Sequence, residues 1–157
     1  MRKYGLYIWM CVCALLCSCN QEDDVFEIFA NGQTWHWSGS YDTSNWKDDN
    51  KGTLTLSVDD VANINKDPSN FIIQFSDDGT LSGNGEAFTF TGKWSADGSD
   101  QSFSISLSPN RTPTGRDKTF YDEISNARFY RGDARLIKLF NADKNHFIQF
   151  YPVGFRN

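Results

Sequence analysis

Beyond residue 19 the chain has no cysteine, because all four, Cys11, Cys13, Cys17 and Cys19, lie in the first nineteen residues. Once an export leader is removed, no disulfide can form and no zinc site can be built on thiolates. Histidine is scarce, with only His36 and His146, and neither has a partner at metal-ligand spacing. No apolar run reaches the roughly 20 residues a spanning helix needs. There is no G-x-S-x-G nucleophile elbow, no repeat of fixed period and no low-complexity tract. Positive charge is in deficit: 15 Lys and Arg stand against 20 Asp and Glu, a formal charge of -5. Such a surface repels phosphate backbones, which argues against a nucleic-acid partner.

What is present starts at the N-terminus. Arg2 and Lys3 precede the apolar segment Tyr4 to Leu16, and small Ser18 precedes Cys19. This is the three-part build of an export signal over residues 1–18. Leu16, Cys17 and Ser18 before Cys19 resemble the bacterial lipobox, whereas lipidation at Cys17 would put Leu16 beside the scissile bond. Cys19 is therefore the predicted lipidation site, with a plain secretory leader as the alternative. Each buried methylene of the diacylglycerol contributes about 0.8 kcal/mol, so two chains anchor firmly where one does not. Loss of Arg2 and Lys3 makes the mature chain two charges more negative than the full sequence.

Residues 19–24 are the lipidated cysteine and an acidic tether, NQEDD. In one phylum of Gram-negative bacteria such a tract resembles the signal that carries lipoproteins to the cell surface, and a solvated spacer is the plainer account. The expected location is the outer membrane, with surface exposure as an extension. The remaining residues, 25–157, suit one domain with a single core.

Val25 to Phe29 alternates like a first strand. In Thr34 to Ser38, Trp35 and Trp37 share one face and His36 takes the other. Asp42 to Gly52 is a polar loop interrupted by Trp46. TLTLSV reads as a half-buried strand and DDVANINKDPSN as a polar connection. FIIQFS is a strand, DDG its turn, and TLSGNGEAFTFTGKWS a glycine-marked bend leading into Phe88, Phe90 and Trp94. SFSISLS repeats the alternation, and PNRTPTGRDK is a loop. Phe120, Ile124 and Ala127 then fall at helical spacing, so DKTFYDEISNA is predicted as a short amphipathic helix. Strand, Gly132-Asp133 turn, strand, Asn141 to Asn145 turn and a last strand close the chain. The predicted class is α+β, mainly a curled antiparallel sheet with one late short helix.

The stretches FIIQFSDDGTLSGNGEAFTFTGKWSADGSDQSFSIS and DKTFYDEISNARFYRGDARLIKLFNADKNHFIQF carry a resemblance. Their order of extended run, glycine-rich bend, G-x-W strand, helix, Gly-Asp turn and closing strands is similar to the META/HslJ-like domains over residues 70 to 152. Many members have Gly-Cys-Asn after the bend, where this chain has Gly85, Glu86 and Ala87, so that motif does not transfer. The resemblance implies a small α+β domain, often on an envelope lipoprotein, associated with stress or envelope tolerance and with no established enzymatic activity. The rival resemblance is to small lipocalin-like lipoproteins, where F-x-x-D-G-T followed by G-x-W also occurs.

Several groups are weighed for chemistry. DDNKG at Asp48 to Gly52 offers a partial calcium loop, but Thr53 and Leu54 follow where a bidentate carboxylate is needed. Glu86, Asp122 and Glu123 are carboxylates without an identifiable facing pair, and adjacent Asp122 and Glu123 point in different directions on a helix. Arg128, Arg131, Arg135 and Lys138 form a basic cluster that suits an acidic glycan or lipid head group, or plain protection of a sheet edge. Trp35, Trp37 and Trp46 form a candidate ligand platform for a sugar ring or peptide, against the alternative that tryptophans fill the core. The reading is a non-enzymatic outer-membrane or cell-surface lipoprotein that binds an envelope or protein partner. Its alternative is a glycan or small-ligand module using loop aromatics. No metal, cofactor or catalytic residue is predicted.

Overall fold

The computed structural model describes residues 24–48, 50 and 52–154. Cys19 and most of its tether lie outside the described residues. The described residues form a mainly antiparallel sheet of nine strands with three short helices.

The first helix, α1 (Val25–Phe29), replaces the expected first strand. Val25, Ile28 and Phe29 share a helical stripe, which five residues with four apolar positions do not separate from strand alternation, and Asp24 decides between them. Its carboxylate accepts the N–H groups of Phe26 and Glu27 at 3.1 Å each, satisfying donors that a helix start leaves unpaired.

Eight strands then form a ring: β1 (Trp35–Asp42), β3 (Ile72–Phe75), β4 (Thr80–Asn84), β5 (Thr89–Asp97), β6 (Ser102–Pro109), β7 (Phe129–Asp133), β8 (Leu136–Phe140) and β9 (His146–Pro152). Each pairs antiparallel with the next, and β9 returns to β1 from Trp35↔Pro152 to Asp42↔His146. The expected curled sheet is thus closed into a barrel, with its β6–β7 seam held by the one register pair Ser102↔Phe129. The short β2 (Thr53–Leu54) lies against the upper end of β1, at Tyr41 and Asp42.

The stretch read as strand TLTLSV and a polar connection divides differently. Only Thr53–Leu54 is strand, and α2 (Val58–Ile64) follows. Ser57 caps α2 by accepting the Asp60 N–H and donating its hydroxyl to the Asp60 carboxylate, a reciprocal start signal. Ile64 is buried, whereas Val58 is 83% exposed. The predicted late helix is present as α3 (Gly115–Ser125), beginning two residues earlier than the apolar spacing indicated.

The barrel interior is filled with aromatic rings. Phe29 of α1 plugs one end, with its ring centroid 5.1–5.4 Å from those of Tyr130, Phe75, Trp94 and Phe103. The Trp35 indole N–H donates to the Phe29 carbonyl at 3.1 Å, so the buried donor is satisfied by the last turn of the plug. At the other end Phe120 of α3 stacks on Trp37 at 5.4 Å and packs against Phe71, Phe90 and Phe150.

On β8 and β9 both faces are buried. Leu139 and Ile148 belong to the interior core, while Phe140 and Phe147 lie on the outer side. The loop after β1 covers them: Trp46 packs edge-on to Phe140 at 5.8 Å and beside Phe129 at 5.9 Å.

Candidate functional site

The densest group of chemistry-bearing side chains sits at the α3 end of the barrel. A bulge in β1 between Trp37 and Gly39 resets the alternation, so Trp37 and Ser40 both face inward. Register then places Asp42 opposite His146. Glu123 reaches the same point from the last turn of α3.

His146 is held between two carboxylates. Its Nδ1 lies 2.7 Å from Asp42 Oδ1 and its Nε2 lies 3.3 Å from Glu123 Oε1. The hydrogen bond with Glu123 and the weaker help of Asp42 outweigh burial and push the imidazole pKa up to about 9. Ser40, fully buried, donates its hydroxyl to Glu123 Oε2 at 2.5 Å and accepts the Trp37 indole N–H at 3.1 Å.

This arrangement contains serine, histidine and carboxylates but is not a nucleophilic relay. The serine faces the glutamate rather than the imidazole, and an imidazolium with both N–H groups engaged has no lone pair to take a proton or bind a metal. What it does is join β1, β9 and α3 at the barrel mouth. Sequence pattern does not reveal it, because Asp42 and His146 are 104 residues apart and meet only through strand register.

A second polar centre lies under the glycine-marked bend. Asp117, on the first turn of α3, is buried and accepts the N–H groups of Glu86 and Ala87 at 2.7 and 2.9 Å. A Cβ on Gly85 would sit 2.1 Å from Asp117 Oδ1, so only glycine leaves room for the carboxylate. Arg116 spans the same junction, 3.6 Å from Glu86 and 3.5 Å from Asp60 of α2.

Two of the expected platform residues are corrected. Trp35 and Trp37 are fully buried, since the inward face of β1 is the barrel core, and they present no ring to a surface ligand. Trp46 is half-buried, its ring used against Phe129 and Phe140 and under the Lys144 ammonium at 4.3 Å.

The carboxylates scatter as well. Asp122 pairs with Lys118 on the outer side of α3 while Glu123 points to the mouth, and Glu86 belongs to the bend. The basic cluster does not form one patch. Arg128 donates to the carbonyls of Ser125 and Ala127, and Arg135 lies 4.0 Å from Asp133 in its own turn. Arg131 and Lys138 are register partners, but Arg131 donates to the Trp46 carbonyl at 2.7 Å and Lys138 lies buried over the Phe147 ring. Among the described residues no group of three or more His, Cys, Asp or Glu could hold a metal ion. No described helix is long and apolar enough to cross a membrane.

His36 lies apart, on the outer wall, donating its Nε2–H to the Ile64 carbonyl at 3.1 Å. Burial holds its pKa below the usual imidazole value, against the hydrogen bond to Ile64 and the field of Asp67. Open depressions mark the outer wall; one of about 720 Å³ runs over β4, β5 and β6 and is lined by Thr80, Ser82, Thr91, Lys93, Ser106 and Ser108 among others.

Compared with known proteins, residues 20–152 match the model of a domain of unknown function, DUF4847. A crystal structure of a DUF4847 family protein from Bacteroides vulgatus is similar, with 31% sequence identity and a TM-score of 0.67, over 81% of this chain and 96% of that one. Among curated proteins there is no match.

Proposed function

The chain belongs to the DUF4847 family, and from its own geometry we propose that it is a non-enzymatic lipoprotein of the outer membrane or cell surface that binds an envelope or protein partner through its outer wall. The observation that carries this reading is the filled and plugged barrel. Phe29 closes one end and Phe120 the other, leaving the outside of the sheet and its loops to meet a partner. At the barrel mouth His146 and Ser40 both spend their donors on carboxylates rather than on each other, which supports a binding role over a chemical one.

Lipidation at Cys19 complements this. Five residues at about 3.3–3.6 Å each would hold the Asp24 cap of α1 within about 18 Å of the lipid. The α1 end would then face the membrane and the α3 end would face away. A part in envelope stress tolerance belongs to the META-like grouping. That grouping, with its α+β layout, is supported by the late helix followed by the β7 to β9 hairpins. The lipocalin-like grouping is supported by the closure of eight consecutive strands.

The test is fractionation of cells expressing Cys19→Ala. The variant is expected in the soluble fraction without incorporated fatty acid, and retention in the membrane would refute the anchor. Crosslinking in native cells, followed by purification, is expected to capture an envelope protein or glycan with the anchored form. The second reading, a glycan or small-ligand module, is favoured by one feature of the outer wall.

A further inference from the structure

We propose that the outer wall of β1 and β9, facing the end of α2, carries a groove for a neutral, polyhydroxylated ligand the size of one or two sugar rings. This rests on the reading of the barrel as a binding module and gives that module a ligand class. The groove encloses about 340 Å³ and is lined by His36, Ser38, Asn65, Lys66 and Tyr151, with Pro68 and residues 152–154 completing the rim. That volume lies at the small end of the roughly 300–1,000 Å³ range of ligand pockets.

Part of the polar lining is uncommitted, and it includes both donors and acceptors. His36 uses Nε2–H on the Ile64 carbonyl, and burial keeps the ring neutral, so Nδ1 offers a lone pair. Asn65 donates its amide to the Val61 carbonyl and keeps its side-chain oxygen. Among the described residues, Lys66 Nζ and the Tyr151 hydroxyl make no hydrogen bond. Ser38 differs, since it is tied to Gln149 and fixes the floor.

Two acceptors, a donor and a phenol that can serve as either thus surround one aromatic ring. Hydroxyl groups, which donate and accept, match such a mixed set, and an apolar ligand does not. Among the described residues no carboxylate lines the groove and Lys66 is its single cation, with Asp67 next in the chain acting on His36 from beside the rim. The ring of Tyr151 supplies the apolar face on which a pyranose stacks.

The experiment is saturation-transfer NMR and calorimetry on the full chain purified in detergent, with maltose, cellobiose, lactose and N,N′-diacetylchitobiose as probes and glucuronic acid as the charged comparator. At least one disaccharide is expected to bind saturably with a Kd on the order of 1 mM. Tyr151→Ala and the exposed Lys66→Ala should each weaken it at least fivefold, with Trp46→Ala leaving it unchanged. Absence of saturable binding by all four disaccharides overturns the proposal, as does tighter binding of glucuronic acid. Binding that survives both groove variants, or is lost in Trp46→Ala, also overturns it. Membrane fractionation and crosslinking do not read the groove, so its failure leaves the anchored-binder reading to its own tests.

Discussion

The imidazole of His146 lies 2.7 Å from the carboxylate of Asp42, across the pair of strands that closes the barrel. Glu123 approaches the other ring nitrogen from α3, so one protonated ring holds the seam and the cap together. The consequence is a stability term that depends on the charge of that ring.

Its sign follows from the direction of the shift. The folded-state pKa is raised from 6.5 to about 9, so the stabilisation is fully present below pH 6.5 and is lost as pH rises through about 9. Since the side chain is 26% exposed, solvent screening reduces the effect to about 1–2 kcal/mol. Thermal unfolding measured from pH 6 to 10 should show this decline, and His146→Gln should flatten it. An equal decline in the variant would remove His146 as the cause.

His36 acts on the acid side. Its folded pKa is depressed by burial, so its contribution is present above pH 6.5 and is lost as pH falls through the lowered value, where the ring must charge in a half-buried place. Denaturant midpoints between pH 4 and 7 should fall more steeply for the native chain than for His36→Gln. Identical slopes would mean that other groups dominate acid unfolding.

Asp117 and Gly85 form a lock and its clearance. Asp117→Ala leaves the Glu86 and Ala87 N–H groups without their acceptor and should cost about 2–4 kcal/mol. Gly85→Ala should destabilise as well, because its methyl would meet Asp117 at 2.1 Å and Phe88 at 2.6 Å. Part of the clash disappears with the carboxylate, so the double variant should be less damaged than the sum of the singles. Strict additivity in chemical denaturation would show that the two do not interact.

Trp46 and Trp37 separate cover from core. Trp37→Ala opens a hole in the barrel and should cost about 3–5 kcal/mol. Trp46→Ala uncovers Phe140 and removes the ring by which the loop after β1, a strap over β8 and β9, meets Lys144 and the face of Arg131; the Arg131 hydrogen bond to the residue-46 carbonyl remains, and the change should cost about 1–3 kcal/mol. Its mark should be faster proteolysis between residues 43 and 52 with the barrel intact. Global unfolding in Trp46→Ala would place the strap within the core instead.

Much of the sheet is legible in the chain because strands write their faces at period two. FIIQFS, TFTGKWS, SFSISLS, LIKLF and HFIQF alternate around a fixed inward set, and β3 and β5 to β9 lie close to where that alternation puts them. The late helix is legible from Phe120 and Ile124, one turn apart. Val25 to Phe29 is not, because five residues with four apolar positions are too few to separate the two periods, and the deciding contact is the Asp24 cap. α2 is hidden by its shortness and by the polar residues around it, Asp59, Asp60 and the run from Asn65 to Asn70, and its start signal is the Ser57 and Asp60 pair.

The candidate sites divide along the same line. Sequence by itself determined which residue types are available: no thiol after residue 19, two histidines, and tryptophans concentrated before residue 50. Tertiary structure decided where they point. Ring closure turned Trp35 and Trp37 inward, and the strap engaged Trp46. Register brought Asp42 to His146, and the end of α2 against β1 and β9 made a groove beside Tyr151. Local pattern fixes the face of each strand, but closure of a barrel and the meeting of distant residues depend on pairings that local periodicity does not encode.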